Sequence, residues 1–489
     1  MGKDVFWLSK SRIMSGRQCA KRLWLETHRR ELAEISSATQ MAFDNGHMFG
    51  EVARSLIGEG ALIEHIDNIG LAISETTSLL RLERLLFEPA FSYQNVLSRA
   101  DGLQRMRGGW RLIEVKASTS IKDYYLDDCA VQTWVANGAG VPIKKVTLAF
   151  VNNEFVYRGK GNYQGLLNHE DITASVFKRV PLVEQWVKGL RKMLAGKEPS
   201  VRVGKHCGTP YACPFQGYCQ SREPAPAEHP VGMLPRSKTL VESMESSGVS
   251  DLRDVPPAEL KSALFRRIQQ AHISNRPYLD SRAGHSLNAL GWPRYYVDFE
   301  TIFFPVPIWK GTRPYQQVPF QWSCHQETKS GKLFHTAFLD GSGQAPMEDF
   351  AASLVKAVGK RGPVFVYNQG FEASCIKGLA KLLPKMRAPL LAIVPRLVDL
   401  LPITRTHYYH PDMRGSFSLK AVLPTVAPDL DYASLEDVQD GGMAQQAWLE
   451  MVSANTTEQR KVQLRQGLLA YCERDTLAMV RLAEFLQGK

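Results

Sequence analysis

Two hydrophobic periodicities divide the chain. Apolar residues at helical spacing predict helices over 41–57, 125–137 and 181–195, and alternation predicts strands over 63–67, 95–103, 110–116 and 145–151. The order is αβββαβ, with 95–103 and 110–116 reading as one hairpin that turns at Gly108-Gly109. A second series begins near residue 291. It predicts strands over 295–299, 318–325 and 333–339, a helix over 347–358 and a buried strand over 364–367. A helix over 371–383, a short strand over 397–401 and a long terminal helix over 462–487 follow. Strands followed by alternating helix and strand imply a mixed sheet flanked by helices. Between the two series, residues 221–235 hold four prolines and no periodicity, which marks a linker. Residues 237–290 read as a helical spacer; within it, 241–258 has a loose helix–hairpin–helix order. The expectation is an α/β protein divided at 1–222, 223–290 and 291–489.

Composition narrows the class. A length of 489 residues suits two to four domains at roughly 100–200 residues each. With 44% hydrophobic and 22% charged residues, the chain is neither disordered, collagen-like nor a coiled coil. The first residues lack an apolar signal core, and Phe6 stands where a myristoylation site wants Ser or Thr. No apolar run approaches 18 residues; the best, 390–403, is broken by Pro395, Arg396 and Asp399. These features predict a cytoplasmic protein with no membrane partner. Its eight cysteines are then reduced, and metal or cluster ligation replaces disulfides as the reading to test. Sixty Lys and Arg against 49 Asp and Glu give a net charge of +11, a balance suited to a polyanionic partner, either nucleic acid or a membrane surface, or to a merely basic enzyme. Residues 1–220 carry 29 basic and 22 acidic side chains, so most of the surplus lies there.

Chemistry concentrates in three places. The first is Asp101 with Glu114-Val115-Lys116. Glu114 and Lys116 share a strand face, and the hairpin brings Asp101 beside them. Two carboxylates with a lysine suit Mg²⁺-assisted phosphodiester hydrolysis, with the lysine orienting water or offsetting developing charge. Gln132 lies on the next helix, and His47 and Glu51 share a face of an upstream one. This run resembles the PD-(D/E)XK nucleases of the RecB-like, CRISPR-associated exonuclease type. The resemblance implies metal roles for Asp101, Glu114 and Glu51 and catalytic roles for Lys116 and Gln132. Ala136 replaces the tyrosine of the family's Q-x-x-x-Y motif, and Gly50 replaces the histidine of its H-E helix. Trp110, Tyr124, Tyr125 and Trp134 are candidates for stacking on unpaired bases or for core packing.

The second place is a run of thiols. Cys207, Cys213 and Cys219 fall within 13 residues, separated by glycines and prolines, and Cys19 offers a fourth. Four thiolates suit zinc or an iron–sulfur cluster. The wide spacing differs from the close pairs of a zinc ribbon. The set resembles the [4Fe–4S] arrangement of the same nuclease family, which implies that the cluster ties the two ends of the domain together. Cys129, Cys324, Cys375 and Cys472 lack such spacing and read as buried apolar residues.

The third place is Asp298-Phe299-Glu300, Asn368-Gln369-Gly370-Phe371-Glu372 and Tyr471-Cys472-Glu473-Arg474-Asp475. Asp298 and Glu300 share a strand face, and Tyr471 and Asp475 share a helix face. Four carboxylates from distant segments suit a pair of Mg²⁺ or Mn²⁺ ions about 4 Å apart, with Tyr471 orienting the attacking water. The pattern resembles the DnaQ-like 3′→5′ exonucleases of the DEDDy subgroup, which implies a ribonuclease H-like fold. Asp399 is then a supporting residue and Ser418 a helix N-cap. The segment 292–325, with Asp298-Phe299-Glu300 and Pro319-Phe320-Gln321, resembles an uncharacterised bacterial family in which the two modules are fused. The expected protein is a two-site nuclease acting on DNA in repair or in defence against foreign DNA. Alternatives are an RNA-processing exonuclease and a nucleic-acid-binding protein with a degenerate first site.

Overall fold

Alternating apolar residues build two separate sheets in the first half of the chain. The computed structural model describes residues 6–34, 37–65, 67–430, 432, 435 and 438–489, with backbone alone over 37–44. Its strands are β1 (Leu8–Ser9), β2 (Ala61–Leu62), β3 (Leu85–Phe87), β4 (Ala90–Tyr93), β5 (Val96–Arg99), β6 (Gly102–Met106), β7 (Gly109–Lys116), β8 (Ile143–Val151) and β9 (Leu167–Asp171). One sheet runs β2-β3-β6-β7-β8-β9 and the other β1-β5-β4. β7 and β8 are parallel, and helix Asp123–Gly138 makes the crossover that such a pair needs. Leu112, Val146 and Leu148 of the sheet, Cys129 and Val135 of that helix, and Val183 and Val187 of helix Val180–Leu194 share one core.

The single strand expected over 95–103 is two strands. β5 pairs with β4, whereas β6 pairs with β3 and β7. The alternation passes unbroken through the junction, but the backbone there leaves one sheet for the other, with Ala100 N bonded to Pro89 O and Glu88 N to Asp101 O. The β6–β7 turn forms at Gly108, whose φ of +79° is open to glycine. The strand expected over 63–67 is confined to Ala61–Leu62, although Ile63 still donates to Phe87; Ile66 lies outside the described residues.

The chain forms two compact units, and the first is discontinuous: 1–223 together with 304–316. Val306 packs with Phe49, Val151 and Leu166. Gly311 and Thr312 exchange backbone bonds with Tyr157, and Tyr315 donates its hydroxyl to Ala117 O at 2.8 Å. A fragment ending at residue 223 therefore uncovers Phe49, Val151 and Leu166. Losing one buried valine and these bonds costs about 3 kcal/mol, or a fall of about 10 °C in Tm for a unit of this size. Calorimetry of fragment 1–223, with and without 304–316 joined by a flexible linker, checks this; equal melting temperatures would refute it.

The second unit, 224–303 with 317–489, contains β10 (Tyr278–Leu279), β11 (Arg294–Ile302), β12 (Val318–Glu327), β13 (Leu333–Leu339), β14 (Val364–Val366), β15 (Leu397–Asp399) and β16 (Tyr408–Tyr409). The main sheet runs β13-β12-β11-β14-β15; β11 is antiparallel to β12, and β14 is parallel to both β11 and β15. Helix Glu458–Leu486 packs on β11 and β12. Residues 224–290 are not set apart: Val231, Leu234, Met244 and Leu252 share a core with Tyr296, Phe365 and Met479. Within 241–258, helix Lys238–Ser246 is followed by a single 3-10 turn, Leu252–Asp254, because Pro256 and Pro257 lack the N–H groups a second helix requires. The structure is thus a mixed α/β protein. No helix among the described residues is long and apolar enough to cross a membrane.

Candidate metal centres

The β6–β7 register puts Gly102 opposite Ile113, so Asp101 falls level with Glu114. Asp101 accepts the Val115 N–H at 2.6 Å. Glu114 is buried. Its Oε1 lies 2.6 Å from Lys116 Nζ and 3.2 Å from Lys10 Nζ, and its Oε2 accepts from Gln132 at 2.7 Å. Asp128 binds the same two amines, at 2.8 Å to Lys116 and 3.1 Å to Lys10. Burial alone would lower the Lys116 amine, but Asp128 and Glu114 hold it well above its ordinary value. Asp101 is pushed up to about 8, first by burial and then by Glu114. Asp101, Glu114, Lys116 and Gln132 thus come together, whereas Glu51 is exposed on helix Ser37–Ile57, outside this hydrogen-bonded set. Lys10 and Asp128 were not expected. Asp128 was legible as the residue one turn before Gln132 on the same helix; Lys10, 91 positions before Asp101, carried no signal. Trp110 and Trp134 pack into or against the core, while Tyr125 lies under the Lys116 amine, 5.5 Å from it.

The four thiols belong to the same unit. Cys19 is the joint between helices Lys10–Gln18 and Ala20–His28. Gln18 donates to His206 O and Tyr211 O at 2.7 Å each, and Cys213 N bonds Cys207 O. Cys19 and Cys207 lie within the electrostatic reach of both Cys213 and Cys219; Arg22 is near Cys213, and Lys21 is near Cys219. Burial pushes the Cys213 and Cys219 thiols up. Among the described residues, ligand atoms within 4.8 Å of one another are found at Asp298, Glu300 and Cys472, and not at these four thiols.

That acidic group lies in the second unit. β11 presents Asp298 and Glu300 on one face and bulges between Glu300 and Thr301, a common device beside sites. Asp475 and Tyr471 arrive from helix Glu458–Leu486, and Glu372 from helix Gln369–Leu382. Asp399 fixes that last helix: it accepts Asn368 N and Gln369 N at 3.0 Å each, while also capping its own helix through Leu401 N at 2.9 Å. Asn368 stands at φ +90°, a strained position that sets the helix start. Ser418 accepts Ala421 N and caps helix Leu419–Val426, as expected. The cleft of about 320 Å³ over these groups is lined by Asp298, Glu300, Tyr367, Phe371, Tyr471 and Asp475. Two residues missed in the sequence complete it. Tyr432 donates to Asp475, and Lys420 places its amine 5.1 Å from the Tyr471 ring and 5.4 Å from that of Tyr432.

Charge in this cleft is unbalanced. Burial, with repulsion from Asp475, Glu300 and Glu372, raises Asp298 well above the carboxylate range. Burial followed by Asp475 pushes Glu300 up to about 8, and burial followed by Asp399 does the same to Glu372. Asp475 is raised to about 6 by burial, moderated by Tyr432 and Lys420. Glu372 Oε2 is buried without a hydrogen-bond partner. Carboxylates near 4 in the unfolded chain and near 8 in the fold keep protons that the unfolded chain has lost, so stability falls as pH rises through that window. The buried His272 and His325, lowered to about 4 by burial, act in the opposite sense, but only until the unfolded imidazoles have titrated near pH 7. We therefore expect the chelated protein's second unit to melt at a lower temperature at about pH 8.5 than at about pH 7, and Mn²⁺ to raise its Tm more at the higher pH. A scanning-calorimetry Tm that climbs over this interval without metal would contradict this account.

Residues 295–418 match a family described as a domain of unknown function, DUF2779. The chain is 26% identical over 213 residues to the uncharacterized protein MG366 homolog of Mycoplasma pneumoniae (strain ATCC 29342 / M129 / Subtype 1), covering 40% of this chain and 32% of that protein. The chain thus spans about a third of the length of this curated relative. Among solved structures, the crystal structure of SSO0001 is similar with a TM-score of 0.23 and 16% identity, covering 44% of this chain and 87% of that one.

Proposed function

We propose that this protein is a metal-dependent phosphodiester hydrolase whose principal centre is the Asp298 cleft, a DnaQ-like 3′→5′ exonuclease site of the DEDDy kind on a ribonuclease H-like sheet. The observation that carries this reading is the convergence of Asp298, Glu300, Glu372 and Asp475, from three elements, with one buried carboxylate oxygen left without a partner. Such uncompensated charge fits divalent cations, which take oxygen ligands. A bound Mg²⁺ or Mn²⁺ supplies polarisation of the phosphate and a more acidic water. The chain's own residues do the rest. The four carboxylates hold the cations. Tyr471, kept protonated by burial and by Asp475, hydrogen-bonds the attacking water. Tyr432 fixes Asp475, and Lys420 offsets part of the negative charge on Glu300 and Asp475.

In this reading the first unit is a PD-(D/E)XK nuclease module. Asp101 and Glu114 hold Mg²⁺, Lys116 orients water, and Gln132 positions Glu114, while Glu51 stays exposed on its own helix. Both Glu114 oxygens are already engaged by Lys10, Lys116 and Gln132, so cation entry requires Lys116 to release Glu114. Cys19, Cys207, Cys213 and Cys219 hold a [4Fe–4S] cluster. Lys21 and Arg22 compensate the cluster's charge. The partner is DNA, bound by the basic surplus and weakened by salt. Digestion of end-labelled single-stranded DNA, duplex DNA and RNA with Mg²⁺ or Mn²⁺, by wild type, Glu114→Ala and Asp298→Ala, tests this. If neither substitution lowers cleavage, the nuclease reading fails.

A further inference from the structure

Cys472 is the buried group at the second centre that phosphodiester hydrolysis leaves unused. It follows Tyr471 on helix Glu458–Leu486, and none of its surface is exposed. Its Sγ lies 3.8 Å from Asp298 Oδ2 and 3.7 Å from the Asp298 carbonyl oxygen. One ligand atom each from Asp298, Glu300 and Cys472 lies within 4.8 Å of the other two. Mg²⁺ has no use for the sulfur, whereas Zn²⁺ and softer cations favour it. A tetrahedral ion with bonds of about 2.3 Å to sulfur and about 2.0 Å to oxygen needs these atoms roughly 3.5 Å apart. Closing from within 4.8 Å to that spacing asks for shifts of at most about 1.3 Å per pair of atoms. Glu372 stands outside that group of three, yet it is 2% exposed, its Oε2 has no partner, and its charge acts on Asp298, which makes it the candidate fourth donor.

We propose that Asp298, Glu300 and Cys472, completed by Glu372, form a thiophilic cation site that takes up Zn²⁺ or Cd²⁺ in competition with Mg²⁺ or Mn²⁺ and thereby switches the exonuclease centre off. The inference rests on the reading of these carboxylates as the hydrolytic ligands. Coordination transfers the thiol proton to solvent and moves no electrons. The soft ion binds through sulfur and draws Asp298 and Glu300 toward it, so both carboxylates are lost to the hard cations. Asp475 and Tyr471 then stand without the partners that hydrolysis needs.

The test uses the full-length protein and the metals alone. Cadmium titration is followed by thiolate-to-metal charge-transfer absorbance for wild type, Cys472→Ser and Cys472→Ala; two variants guard against one that misfolds. The four thiols of the first unit contribute equally to all three, so the difference spectrum reports Cys472. We expect one cadmium–thiolate bond fewer in both variants. We also expect the Zn²⁺ midpoint for inhibiting Mn²⁺-supported 3′ digestion, scaled to each protein's own zinc-free rate, to rise about tenfold or more. Equal absorbance, or an unchanged midpoint, overturns the proposal. If the absorbance difference and the midpoint shift both appear while Asp298→Ala digests DNA as wild type does, the thiophilic site stands and the hydrolytic assignment of Asp298 falls.

Discussion

Replacing Asp298 with alanine is expected to lower metal-dependent 3′ digestion by about a thousandfold or more, the scale of losing a cation that stabilises transition-state charge. Asp298 stands on the central strand of its sheet and feels Asp475, Glu300 and Glu372 together. Removing it takes away the carboxylate that the other three all act on. Tyr471→Phe removes one oriented hydroxyl and should cost less, about ten- to a hundredfold. A second readout separates loss of function from loss of fold. Relief of like-charge repulsion should stabilise the metal-free protein, so Asp298→Ala should melt above wild type in chelator even as it loses activity. Release of mononucleotides from a 3′-labelled strand and calorimetry on the same preparations check both. A variant retaining more than about a tenth of wild-type activity would move the principal centre elsewhere.

The parts of this architecture legible in the sequence are those that one element encodes. The Met347–Val358 helix and β13 match their expected bounds because their patterns begin and end with the elements. Asp298 with Glu300, and Tyr471 with Asp475, share faces by backbone periodicity alone. What escaped depends on contacts between elements. The alternation over 95–103 cannot say that the chain changes sheets at Ala100-Asp101, since both halves alternate correctly. No periodicity tells that 304–316, an excursion between β11 and β12, covers Phe49 and Val151 of the first unit. Asp128 had a helical-spacing signal from Gln132; Tyr432 had none, because its partner Asp475 lies 43 positions away on another segment. The division at 221–235 reflects its prolines, yet Val231 and Leu234 within that stretch are core residues, and the following segment folds into the second unit.

Removing one cluster thiol should have the second large effect, this time on the first unit. Cys19 and Cys207 are 188 positions apart, and among the described residues a few polar contacts bridge the segments that carry the thiols: Gln18 to His206 and Tyr211, Glu34 N to Pro214 O, and the Lys21 amine over the Tyr218 ring. A cross-link closing a loop of this length restricts the unfolded chain by about 5 kcal/mol. Cys207→Ser should therefore lose the broad visible absorption and iron of anaerobically purified protein, and lower the first unit's Tm by about 10–15 °C. The second unit has its own core and sheet, so its transition and Asp298-dependent digestion should persist. A wild-type protein that is colourless and zinc-bound, yet loses stability on the same substitution, would keep the staple and replace the cluster. A Cys207→Ser protein with unchanged melting would show that helices Lys10–Gln18 and Val180–Leu194, which share one core, hold the ends of the unit together without any metal.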